Sequence, residues 1–146
     1  MNESTAVTLV TALSGARKAH SLYPAAHPEH RSALGGLLAS VGEAAAAGPF
    51  TLNLHLGRLY HDSRVLPVET PGMRSMAECF EAHRIESLTF HGSVGEADAI
   101  ALIEVLALKP SAELDIAAEL ESRGVADITA QRLQDPDAEA AQEREE

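Results

Sequence analysis

At Gly48-Pro49 the spacing of apolar residues changes, and the change restricts the chain to folds that join helices to a sheet. Upstream, Ala6, Leu9, Val10, Leu13, Ala16 and Tyr23 recur at helical spacing. Pro24 stops that helix, and Pro28 suits the first position of a second, running to about Ala47 with Leu34, Leu37, Leu38 and Val41 as its apolar face. Gly35 and Gly36 weaken that helix, and a close helix–helix contact at the glycines would account for them. Downstream, Leu52, Leu54 and Leu56 alternate with Thr51, Asn53 and His55, the period of a half-buried strand.

The remaining elements follow from the same two periods. Gly57-Arg58 reads as a two-residue turn, with Leu59–Asp62 as the hairpin partner and Val65-Leu66 as a short further piece. Met73, Met76, Ala77 and Phe80 define a short helix ending near His83, and Ile85–His91 alternates as a strand. Ser93 and Glu96 fit a capping box for a helix through Leu108, apolar on several sides and so deeply buried. Ser111 can cap the next helix, Gly124 suits the position after its end, and Val125–Arg132 reads as a last strand. The expected fold is α+β in the order α-α-β-β-α-β-α-α-β: a mainly antiparallel four-stranded sheet with about five helices packed on one face. Phe50, Phe80 and Phe90 are its few large anchors.

Composition sets the outer limits. A chain of 146 residues with 45% hydrophobic content suits one domain with a sizeable core. Of its net −11 charge, five units fall in the last twelve residues, which contain no apolar residue larger than alanine. The expected organisation is therefore a single domain over 1–134 and a solvated acidic tail over 135–146. No apolar run approaches the roughly 20 residues of a membrane span, no signal peptide is recognisable, and one cysteine suits a reducing compartment; a cytoplasmic location is expected. The acidity argues against nucleic acid as a partner.

Four stretches resemble a poorly characterised bacterial module: SLYPAAHPEHRSAL, TLNLHLGRLYHDSRVLP, AECFEAHRIESLTFHGSVGEADAIALIEVLAL and AAELESRGVADITAQRL. That module stands at the N-terminus of some HD-GYP-type phosphodiesterase-like proteins and HEAT-repeat signalling proteins. Leu22, Tyr23, Pro24, His27 and Pro28 match its first junction; Ile85, Leu88, Phe90, Gly92, Val94 and Glu96 match its strand-to-helix step. The family pattern has a glycine where this chain has Arg84. The resemblance covers roughly residues 6–133 and implies a non-catalytic accessory domain of a signalling protein; it brings no catalytic residues with it.

Seven histidines invite a metal reading, but zinc sites want three or four ligands at defined spacing. His20, His27 and His30 gather around a helix junction, where His27 before Pro28 also serves simply as a helix start. His55, His61 and His91 fall on strands and are expected on the sheet face opposite the leucines, with Arg58 and Arg64 nearby, as a surface for a protein partner or a small anionic ligand. His61-Asp62 spells the HD dyad, but on a strand or turn rather than on the helix where HD phosphohydrolases carry it. Cys79 and His83, four apart on a helix, could pair as nucleophile and base; a buried structural cysteine is the commoner case. HExxH, GxSxG, Walker A and Rossmann patterns are absent, so no cofactor, metal or catalytic residue is expected. The expected function is a protein-interaction or oligomerisation module, with small-ligand or metal sensing as the alternative and an enzyme a distant third.

Overall fold

The computed structural model describes residues 3–24, 26–46, 48–55, 58–61, 64–66, 70–92 and 94–132, of which 3, 55, 58–61 and 64–66 are described by backbone alone. The acidic tail lies outside them. In chain order the elements are α1 (Glu3–Leu22), α2 (Pro28–Ala45), β1 (Phe50–His55), β2 (Arg58–His61), β3 (Arg64–Leu66), α3 (Pro71–Ala82), β4 (Ile85–Phe90), α4 (Glu96–Leu106), α5 (Ile116–Ser122) and β5 (Ile128–Arg132). The class is α+β, as the two periods require.

The sheet has five strands rather than four, in the order β3-β2-β1-β4-β5, and every neighbouring pair is antiparallel. The extra strand is the Val65-Leu66 piece, extended by Arg64: its three residues are too few to show an alternation, but β2 supplies a ladder for them. The hairpin turn also moves back by one position, because Arg58 pairs with His55 and so belongs to β2, and Leu59 opposes Leu54.

Alternation sorts the sheet into two rows. Phe50, Leu52, Leu54, Leu88, Phe90, Ile128 and Ala130 are buried, and the Phe50 and Phe90 rings stack at 4.8 Å between centroids, as their direct register predicts. The opposite row holds Thr51, Asn53, Ser87, Thr89 and Thr129, with the Thr51 and Thr89 hydroxyls hydrogen-bonded at 3.0 Å. Helix α3 lies against β1, β2 and β4, and α5 lies against β5. Helix α1 packs on α3 and also holds α2 and α4, burying Ala6, Leu9, Val10, Leu13 and Ala16.

The helix ends show which local signals were decisive. His27 caps α2 by accepting the Glu29 N–H on Nδ1 at 3.1 Å, and Thr70 caps α3 through Met73. Asp115 caps α5, while Ser111 caps only the turn before it by accepting from Leu114. Helix α4 starts two residues later than a Ser93 cap would place it: Gly95 is its N-cap, with no side-chain bond, and Glu96 is its first residue. Ser93 itself lies outside the described residues. Gly124 takes the left-handed conformation expected after α5 (φ 78°), and Arg84 takes the same conformation (φ 57°) between α3 and β4, at the cost that a side chain bears there.

The glycines of α2 are not a contact. A Cβ at Gly35 or Gly36 would meet nothing within 4 Å, whereas one at Gly72 would come to 3.1 Å from the Thr11 Cα of α1. The close approach therefore belongs to the α1–α3 crossing. Gly36→Ala is expected to raise the free energy of unfolding by about 0.5–1 kcal/mol through helix propensity alone. Gly72→Ala is expected to lower it by about 1 kcal/mol, because a helix backbone cannot yield to the added methyl. Urea unfolding of the two variants beside the parent checks both signs.

Candidate functional site

Polar side chains buried among these elements gather at one backbone atom. Leu106 is the last residue of α4, so its carbonyl has no partner within the helix. Three donors from two other helices reach it: Arg17 Nε from α1 at 2.9 Å, His83 Nε2 from the end of α3 at 3.1 Å, and Cys79 Sγ from α3 at 3.7 Å. A carbonyl can only accept, so Nε2 of His83 carries the proton and Nδ1 is left as an acceptor. That Nδ1 is buried without a partner, in a residue only 6% exposed.

The proposed nucleophile–base pair is thus occupied elsewhere. Burial pushes the Cys79 thiol above its ordinary value, against the smaller pull of the Arg17 charge, which is the reverse of what thiolate chemistry needs. Burial likewise lowers His83 below 6.5; the Leu106 bond opposes this and the Arg17 charge adds to it. Arg17 is the residue that sequence reasoning overlooked. Its signal was present: it stands four residues after buried Leu13, on the apolar side of α1.

The helix-junction histidines divide. His20 Nδ1 and His30 Nε2 are 3.3 Å apart, one ring donating to the other, while His27 is spent on its cap and stacks on Tyr23 at 4.4 Å. Among the described residues no three His, Cys, Asp or Glu side chains converge as metal ligands would.

The strand histidines do not share one row. In the β1–β2 hairpin His55 stands opposite Arg58, but His61 stands opposite Leu52, in the row of the buried leucines, and Arg64 stands opposite His61. The expectation that both hairpin histidines lie away from the leucines fails on register: opposed positions here pair an odd residue with an even one, so two odd-numbered residues fall in opposite rows. His91 follows β4 at the other end of the sheet, beside the Phe50–Phe90 pair and so about 17 Å along β1 from His55. It is exposed, bonded through Nε2 to the Thr129 hydroxyl at 2.8 Å.

A groove of about 350 Å³ opens where β4 begins and β5 ends, closed on the third side by the segment leading into α5. Its floor includes Ile85, Ile116 and Ala130, each at most 7% exposed. His83, Arg84, Glu113 and the Asp115–Arg132 ion pair complete it. Burial raises the Asp115 carboxyl, but the Arg132 guanidinium and the Ala118 and Ala117 N–H groups more than reverse this and hold it below its usual value.

No family model matches the chain, and no curated protein or solved structure matches it. Among the described residues no helix is long and apolar enough to cross a membrane.

The His83 environment has a pH consequence. The unfolded chain holds the His83 proton more tightly than the folded one, so the contribution of the neutral ring to stability is complete above 6.5 and is lost as pH falls from 6.5 toward the lower folded value. His83→Gln keeps a donor for Leu106 without the titration. The fall in unfolding free energy between about pH 7.5 and pH 5.5 is therefore expected to be smaller in the variant than in the parent, measured by denaturant unfolding at each pH.

Proposed function

We propose that this chain is a non-catalytic interaction module of a bacterial signalling protein and that it associates with a second copy of itself by strand addition at β5. The observation that carries the reading is the outer edge of that strand. His91 N–H bonds the Asp127 carbonyl at 2.8 Å, and the β4–β5 register continues from that pair. Alternation in an antiparallel ladder then turns the Asp127, Thr129 and Gln131 backbone groups toward β4. It turns the N–H and C=O of Ile128 and Ala130 outward, where among the described residues no strand meets them. Their side chains are buried, so this edge is held in strand conformation whether or not a partner is present.

Natural sheets guard such edges with proline, lysine, bulges or very short strands. β5 contains neither proline nor lysine, and the single register shift lies at its far end, between Ile85 and Ser87. The opposite edge, β3, has only three residues. The resemblance to an accessory domain of signalling proteins supports the same reading, and so does the burial of Cys79 and its engagement at Leu106, which leave that pair without an activated nucleophile. A ligand-sensing surface built from His55, His61, His91, Arg58 and Arg64 is the less favoured alternative, because the register separates its members.

Each copy carries a net charge of −11, so association is expected to strengthen as salt screens the repulsion. Light scattering across protein concentration is expected to show a monomer–dimer equilibrium that moves toward dimer between about 0.05 and 0.5 M salt. Ala130→Pro removes an outward N–H and is expected to give a folded monomer. A strict monomer under all these conditions, or an Ala130→Pro protein that dimerises as well as the parent, would overturn the reading.

A further inference from the structure

The groove at the β4–β5 end shares Ala130 with the strand edge, and it holds an unusual balance of groups of its own. Arg132 is neutralised by Asp115. That leaves Arg84 and Glu113, one cation and one anion, both exposed, neither side chain making an ion pair among the described residues. Between them lies an apolar floor that includes Ile85, Ile116 and Ala130. His83 lines the same groove, but its unpartnered Nδ1 is buried and closed to a ligand there. Arg84 is also the only non-glycine residue among those described with a positive φ.

We propose that this groove binds a small zwitterion of the amino-acid class with an apolar side chain: its carboxylate on the Arg84 guanidinium, its ammonium on the Glu113 carboxylate, and its side chain over Ile85, Ile116 and Ala130. The chemistry excludes simpler occupants one at a time. An inorganic anion would use Arg84 and leave Glu113 repelling it. A divalent cation would find a single uncommitted carboxylate, short of the several oxygens it requires. A purely apolar molecule would leave both charges unanswered. At about 350 Å³ the volume stands at the small end of ligand pockets.

The test is an amide-resolved NMR titration of the full chain at neutral pH with L-leucine, with 4-methylpentanoate (no ammonium) and with leucinamide (no carboxylate). Leucine is expected to move the amides of residues 83–85, 112–117 and 130–132 with a dissociation constant of about 1 mM or tighter. Each truncated analogue is expected to bind at least about tenfold more weakly. Arg84→Asn, which tolerates the left-handed backbone, and Glu113→Gln, on an exposed segment, are each expected to weaken leucine by a similar factor while the rest of the spectrum stays that of the folded parent. The proposal is overturned if leucine leaves those amides unmoved at about 10 mM, if 4-methylpentanoate binds as well as leucine, or if both variants bind leucine like the parent. The titration is run on dilute protein at low salt, where the chain is monomeric on the reading above, and the amides of residues 83–85 and 112–117, away from the β5 edge, separate leucine binding from self-association.

Discussion

The carbonyl of Leu106 is the point through which the helical layer is tied together. A helix end leaves its last carbonyls without partners, and burying one unpaired costs about 1–3 kcal/mol. This chain answers the carbonyl three times over, from α1 through Arg17 and from α3 through Cys79 and His83. Apolar packing alone would let α4 slide or rotate against its neighbours, because dispersion contacts have no direction. The bonds at Leu106 fix its axial position, and α4 in turn carries α5, which covers β5 and walls the groove. Both the strand edge and the groove therefore inherit their geometry from the cluster at Leu106.

That arrangement also explains why residues with catalytic potential are poor guides here. Cysteine and histidine four apart on a helix face suit a nucleophile and its base, and they equally suit two donors converging on one carbonyl. Burial decides between the two. It raises the thiol and lowers the imidazole, which keeps both neutral and makes them good structural donors. The His20–His30 contact follows the same logic, as two rings that satisfy each other across α1 and α2. His27 satisfies a helix end.

Much of the fold was legible because it rests on periodicity. The 3.6 and 2.0 repeats placed α1, α2, β1 and β4 nearly residue for residue, and Phe50, Phe80 and Phe90 are buried anchors. What the sequence could not show depends on partners far along the chain. β3 is a strand only because β2 lies beside it. Gly35 and Gly36 read as a contact and are an open surface, while the close approach is at Gly72, which carried no such mark. Ser93 and Glu96 have the spacing of a capping box, yet α4 begins at Glu96, since spacing alone does not say which residue takes the extended cap conformation. The groove was hidden for a similar reason: Arg84 and Glu113 are 29 positions apart and meet only because β4, α4 and α5 fold back on themselves.

The central claim, that β5 presents a preformed free edge to a second copy, is tested most directly by amide hydrogen exchange resolved by residue at two protein concentrations. In dilute protein the account predicts alternation along β5: slow exchange at Thr129 and Gln131, which face β4, and fast exchange at Ile128 and Ala130, which face out. At high concentration Ile128 and Ala130 become protected while their neighbours change little. Protection of Ile128 and Ala130 already present in dilute protein, or fast exchange there at every concentration, would contradict it.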